Sequence, residues 1–109
     1  MGADYTPQEV AELQADDSIQ LIDVRQDYEW EGGRIAGARH LELTELGEHA
    51  STIERDRPVV FYCRSGVRSA MASEAFSDAG WDAHNMAGGL IAWEGAGLPM
   101  EPDGGYVAD

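Results

Sequence analysis

The sequence predicts an α/β fold in which a central, mostly parallel sheet of about five strands carries helices on both faces. Three observations predict it. Short apolar runs of strand length alternate along the chain with stretches of helical period, the order that builds parallel sheets. The clearest runs, Leu21-Ile22-Asp23-Val24 and Val59-Val60-Phe61-Tyr62, are close to continuously apolar, as strands covered on both faces are. The 109 residues contain no internal repeat and no linker long enough to divide them. One domain over residues 1–109 is therefore expected, with its core at about 5–100 and a loose tail over 101–109.

The elements follow in order. Thr6-Pro7-Gln8-Glu9 fits a helix start: Thr6 caps, Pro7 takes the first helical position and Glu9 completes a capping box. Val10 and Leu13 then share one face. Residues 18–24 form a short buried strand through Ile19, Leu21, Ile22 and Val24. Residues 27–31 make a short helix with Trp30 inward, and Gly32-Gly33 breaks it. Residues 35–43 turn into a short strand around 39–41. Leu46, Ala50 and Ile53 are spaced for another short helix, and residues 54–58 make a polar turn. Val59–Tyr62 is the central strand. Residues 68–79 read as a helix with Met71, Ala72, Ala75, Phe76 and Ala79 on one face and Gly80 as its stop. Residues 82–86 make a further strand, and Gly88-Gly89 turns into a last short helix holding Leu90, Ile91 and Trp93. Trp30, Trp81 and Trp93 read as packing aromatics.

Composition narrows the function. There are 21 acidic residues against 7 basic ones, for a net charge of −14, and every basic residue is arginine. Phosphate-directed nucleic-acid binding relies on clustered Lys and Arg and is not expected. The absence of lysine removes a P-loop lysine, a Schiff-base lysine and a kinase-type lysine. The acidic surplus fits general solubility, or adaptation to high salt, or arginine replacing lysine in a GC-rich genome. No apolar run approaches the length of a membrane span, and no basic-then-apolar leader is visible at the start. A cytoplasmic protein with no membrane partner is the expectation. A single cysteine excludes an internal disulfide and any multi-thiolate metal site. No cofactor is expected, and His40, His49 and His84 lack metal-ligand spacing, so no metal is expected either.

That cysteine, Cys63, stands at the end of the central strand. Ligands of parallel α/β sheets bind beyond the carboxyl ends of the strands. The residues after it are Arg64, Ser65, Gly66, Val67, Arg68 and Ser69. Their N–H groups can curl inward as an anion-binding nest, and the next helix adds its positive dipole end. Gly66 permits a left-handed angle in the turn. Arg64 and Arg68 add charge. All of these favour thiolate over thiol and should lower the Cys63 pKa. A lone cysteine is usually a small core residue, but two of only 7 basic residues fall inside this one turn. Asp23 and Arg25 are expected to form or support ion pairs near the sheet's end, and His40 lies in a turn that could approach the site.

The stretch Cys63-Arg64-Ser65-Gly66-Val67-Arg68-Ser69 resembles the active loop of the rhodanese-like, single-domain sulfurtransferase family. Other stretches match in the same order: Leu21-Ile22-Asp23-Val24-Arg25, Glu29, Gly33-Arg34-Ile35-Ala36-Gly37-Ala38, Gly88-Gly89-Leu90-Ile91-Ala92-Trp93 and Gly97-Leu98-Pro99. Arg34 departs from the histidine common in the family. The resemblance implies that Cys63 takes sulfane sulfur from a donor such as thiosulfate and passes it, through a persulfide, to an acceptor such as cyanide or a thiol. It implies substrate-binding roles for Arg64, Ser65, Gly66, Val67, Arg68 and Ser69. With no second cysteine, such a persulfide cannot resolve internally, so the sulfur must leave to an outside acceptor.

Alternatives stay open: a relay handing persulfide to an acceptor protein, a docking or sensing module without turnover, or a cysteine phosphatase or arsenate reductase. The last pair place arginine in Cys-x5-Arg. Here the spacing from Cys63 to Arg68 is Cys-x4-Arg, and Ser69 takes the sixth position.

Overall fold

In the computed structural model, which describes residues 4–109, the first helix begins as its capping signature dictates. The Glu9 N–H donates to Thr6 Oγ1, the Thr6 N–H donates to the Glu9 carboxylate, and Pro7 opens α1 (Pro7–Ala15). There follow β1 (Gln20–Asp23), α2 (Asp27–Gly32), β2 (Arg39–His40), α3 (Leu46–His49), β3 (Val59–Tyr62), α4 (Val67–Asp78), β4 (Ala83–Asn85) and α5 (Gly89–Gly95). The short helix expected around Leu46, Ala50 and Ile53 is divided, with single 3-10 turns before and after α3.

The sheet order is β2-β1-β3-β4, and every pair is parallel. It has 4 strands, where about five are expected from the sequence. In place of a fifth strand, the described residues form a single parallel bridge between Tyr5 and Met86. The physical reason is adjacent in sequence. Thr6 already caps α1 and Pro7 has no N–H, so extended pairing cannot continue past Tyr5.

Strand β3 is 0 % exposed along its length. Its side chains alternate between two cores, as the period of a strand requires. Val59 and Phe61, with Cys63 just beyond, pack among Ile22, Val24, Ala72 and Phe76. Val60 and Tyr62 pack on the opposite face among Val10, Leu21, Met86, Leu90 and Trp93. This double burial holds the strand that delivers the cysteine.

Helix α4 presents a different face from the one its apolar residues suggest. Ser69, Ala72, Ser73 and Phe76 are buried, whereas Met71 is 60 % exposed and Ala75 and Ala79 face solvent. The positions 69, 72, 73 and 76 make one stripe at helical spacing. Ser69 belongs to that stripe because the turn after Cys63 aims it at the sulfur, and this fixes the rotation of the whole helix.

The segment from Glu101 onward, expected to be a loose tail, is held. Arg34 and Glu101 exchange two backbone hydrogen bonds of 2.8 Å each, and the Tyr106 N–H donates to the Gly32 carbonyl at 2.9 Å. Ala108 is buried. The chain can pass this close because Gly33 has no side chain: a Cβ there would lie 2.3 Å from the Tyr106 carbonyl oxygen. Gly32-Gly33 thus does more than end α2. No helix among the described residues is long and apolar enough to cross a membrane.

Candidate active site

Cys63 follows β3 directly, at the carboxyl edge of the parallel sheet, and is 1 % exposed. Gly66 turns the chain with φ of 104°, a left-handed conformation that costs a side-chain-bearing residue, and it caps α4. That turn directs the Gly66 N–H to Cys63 Sγ at 3.1 Å, while Ser69 Oγ, one turn into α4, lies 3.3 Å from the same sulfur. Burial pushes the Cys63 thiol up, but the Ser69 hydroxyl and the N–H groups of Ser69, Gly66 and Ser65 outweigh it and hold the thiol below its usual pKa. Hydrogen-bond donors are therefore what favours the thiolate.

The neighbouring turn makes those donors available. Leu90 N–H donates to the Cys63 carbonyl at 2.8 Å and Ile91 N–H to the Arg64 carbonyl at 3.1 Å. The loop's carbonyls are drawn toward α5, which leaves its N–H groups free to converge on sulfur. Gly89 permits the contact: its φ is +61°, and a Cβ would lie 2.5 Å from the Cys63 carbonyl oxygen.

From the sequence, Arg64 and Arg68 are expected to lend charge to the thiolate. The structure pairs each with a carboxylate. Arg68 forms a two-pronged ion pair with Glu29, at 2.8 and 2.9 Å. That bond is the first cause of its raised pKa, and the Cys63 charge adds to it. Arg64 turns the other way, toward the Ala108 carbonyl and Asp109. Ser65 and Val67 are exposed at the rim, Val67 at 68 %. All the loop residues named from the sequence are thus close in space, but the cationic cradle is largely neutralised.

Two site residues escape sequence reasoning. Glu29 is a matched residue in the resemblance, yet its role is visible only in three dimensions: it caps α2 through the Gln26 N–H and fixes Arg68. Asn85 ends β4, 5 % exposed. Its Oδ1 accepts from Ser69 Oγ at 2.5 Å, and its Nδ2 donates to the Gly66 carbonyl at 3.3 Å. A polar amide at the carboxyl end of a buried strand is the signal that could have found it. The Ser69 hydroxyl has one proton, so Cys63 and Asn85 compete for it. An ionised sulfur wins that competition because bonds to charged acceptors are the stronger ones.

Asp23 and Arg25 form the expected ion pair, both 0 % exposed, with Arg25 also donating to the Gly33 carbonyl at 2.8 Å. The pair braces the end of β1, and its side-chain hydrogen bonds run between Arg25 and Asp23 and on to the Gly33 carbonyl. His40 does not join the thiol. It bonds the Arg25 carbonyl at 2.7 Å and stacks on Trp30. Among the described residues no cluster of His, Cys, Asp and Glu is arranged to hold a metal ion. A cavity of about 350 Å³ lies along α4, lined by Asp4, Ser73, Glu74, Asp78 and Asn85 among others. It contains neither Cys63 nor a loop arginine.

Ser69→Ala should leave the fold intact and cut the thiolate fraction near neutral pH by roughly tenfold, the worth of a hydrogen bond to a charged group. The sign follows from the bond: loss of a donor to the thiolate raises the thiol pKa. The pH dependence of iodoacetamide alkylation checks this, and a midpoint that stays or moves down would remove Ser69 from the site.

The chain is similar to known proteins over most of its length. A model described as Rhodanese-like domain matches residues 6–96. A protein of Allochromatium vinosum named sulfurtransferase is 38 % identical, over 81 % of this chain and 84 % of that one. The thiosulfate sulfurtransferase GlpE of Actinobacillus succinogenes is 31 % identical, over 90 % of this chain and 89 % of its own. In some other relatives the matching stretch is part of a longer protein, down to 26 % of its length. The crystal structure of a rhodanese-related protein from Thermoplasma volcanium superposes with a TM-score of 0.83 at 28 % identity, covering 90 % of this chain and 96 % of that one.

Proposed function

Because the chain belongs to the rhodanese-like domain family, in which relatives named as sulfurtransferases share most of its length, we propose that it is a sulfurtransferase working through Cys63. The observation that carries this reading is the sulfur of a solitary cysteine held between the Gly66 N–H and the Ser69 hydroxyl at the sheet's carboxyl edge. The donor is read as thiosulfate or a persulfide, since a relative's name includes thiosulfate. The Cys63 thiolate attacks the outer, sulfane sulfur of the donor. The S–S bond of the donor breaks, and sulfite, or the donor's thiolate, departs with the electron pair. Cys63 is left as a persulfide whose terminal charge takes the place of the thiolate charge before the same donors. An acceptor nucleophile, cyanide or a thiolate, then attacks the terminal sulfur and Cys63 leaves as thiolate. Every step conserves charge and needs no cofactor or added oxidant.

A protein acceptor is a second reading, favoured by exposed apolar side chains beside the loop: Val67 opens α4, and Ile91 is 43 % exposed where its N–H meets the Arg64 carbonyl. Phosphatase chemistry is disfavoured. Cys63 and Arg68 are one residue closer than that chemistry uses, Arg68 is engaged by Glu29, and Ser69 stands in the sixth position as a donor to sulfur.

The test is a pair of assays on one preparation. With thiosulfate and cyanide, thiocyanate should form catalytically. With a generic aryl phosphate, turnover should be at least about a hundredfold slower, the loss expected when a transition-state arginine is misplaced. Comparable turnover of both substrates would displace the sulfurtransferase reading.

A further inference from the structure

The segment 101–109 comes back to the reactive loop. It is paired to Arg34 through Glu101, and to α2 through the Tyr106 N–H on the Gly32 carbonyl. Tyr28 Oη donates to the Asp109 backbone carbonyl at 2.8 Å, and Ala108 is 7 % exposed. So anchored, the segment takes up the guanidinium of Arg64: Nε donates to the Ala108 carbonyl at 3.1 Å, and Nη2 donates to Asp109 Oδ1 at 3.0 Å. The other loop guanidinium is occupied by Glu29. Each cation that could attract an anionic donor is therefore charge-matched, in a chain of net charge −14.

The two pairings differ in one respect. The Glu29 side chain is 3 % exposed, whereas the Asp109 side chain is 99 % exposed. A buried carboxylate bound on two prongs stays with its arginine. An exposed pair is weak and screened by salt, so it yields to a competing anion. Arg64 is the loop cation that can be released.

We propose that residues 106–109 form a specificity strap. It withholds Arg64 from anionic sulfur donors and tilts the site away from dianions such as thiosulfate toward donors of lower charge, such as monoanionic organic persulfides. This rests on the reading of Cys63 as the sulfur-carrying thiol. A small dianion such as thiosulfate must displace Asp109 before it gains a counter-charge, while a donor of lower charge depends less on that step. Local charge decides the difference because the overall field repels anions.

The test compares two alkylating reagents on Cys63, anionic iodoacetate and neutral iodoacetamide, across the intact chain, Asp109→Asn, Asp109→Asn combined with Arg64→Ala, and a form with residues 106–109 excised. Asp109→Asn should raise the iodoacetate rate about threefold to tenfold, the range expected for unmasking one charge near the reaction centre, with the iodoacetamide rate within about twofold of the intact chain. Adding Arg64→Ala should erase the gain, and so should molar salt. Excision should reproduce or exceed the single substitution, with circular dichroism reporting the fold. Asp109→Asn should also lower the KM for thiosulfate by a larger factor than that for a monoanionic organic persulfide. An unchanged iodoacetate-to-iodoacetamide ratio in Asp109→Asn and in the excised form would overturn the strap. Equal acceleration of both reagents would overturn it too, because it would show mere steric cover. The alkylation ratio needs no sulfur transfer, so failure of the sulfurtransferase reading would register in the thiocyanate assay and not here.

Discussion

Cys63→Ser should abolish sulfur transfer, with the rate of thiocyanate formation falling by about 10³-fold or more, as removal of a nucleophile does. The substitution is close to isosteric, so the Gly66 N–H and the Ser69 hydroxyl still have an oxygen to approach. What disappears is ionisation. A serine hydroxyl stays protonated where the donors around Cys63 hold its thiol below the usual pKa. It also lacks the sulfur that accepts sulfane sulfur. Intact-mass measurement separates chemistry from binding. The unsubstituted protein should gain the mass of one sulfur atom after exposure to thiosulfate, and the variant should gain nothing. The chain has a single cysteine, so no other thiol can substitute. Residual transfer in the variant at more than a few per cent, or a sulfur adduct elsewhere, would end the persulfide mechanism.

The largest effect on stability is expected at Arg25. Its guanidinium is 0 % exposed and meets both carboxylate oxygens of Asp23, the shortest contact being 2.6 Å. Arg25→Ala strands a buried carboxylate, which costs about 3–5 kcal/mol, and it opens a cavity as well. For a domain of this size the thermal midpoint should fall by well over ten degrees, taking roughly 4–8 °C per kcal/mol. The pair itself is worth much less than that loss. Arg25 Nη1 is buried with no hydrogen-bond partner among the described residues, so part of the desolvation cost stays uncompensated. Replacing both residues, Asp23→Leu with Arg25→Met, should therefore recover most of the midpoint. If the single variant melts within two or three degrees of the parent, or the double variant melts lower than the single, the ion pair does not act as described.

The parts of the molecule that were legible in the sequence are those fixed by near neighbours in the chain. The α1 capping box involves Thr6 and Glu9, three positions apart, and needs no tertiary information. β3 has the bounds that its apolar run indicates, and Gly66 takes the left-handed angle that a tight turn after a strand demands. The features that were not legible join distant segments. Glu29 and Arg68 are 39 positions apart, and Arg64 and Asp109 are 45 apart. Opposite charges at such separations match many possible partners in a chain with 21 acidic residues. Asn85 was hidden for another reason: its amide bonds to Ser69 and Gly66 only after the β3-to-β4 crossover has formed. The inward face of α4 could not be read from hydrophobicity either, because its first turn is oriented by Ser69 reaching the sulfur, a polar contact that outranks the burial of Met71.

The N–H groups that converge on Cys63 belong to the main chain, and they are presented by two glycines, Gly66 and Gly89, whose backbones set the loop against α5. Ser65 contributes its N–H to that cradle, while the side chains of residues 64, 65 and 67 point to the strap or to solvent. Tuning of the nucleophile and choice of substrate are thereby separable traits. Drift or design can rewrite the three outward side chains, and with them what approaches the site, while the reactivity of the sulfur is inherited unchanged.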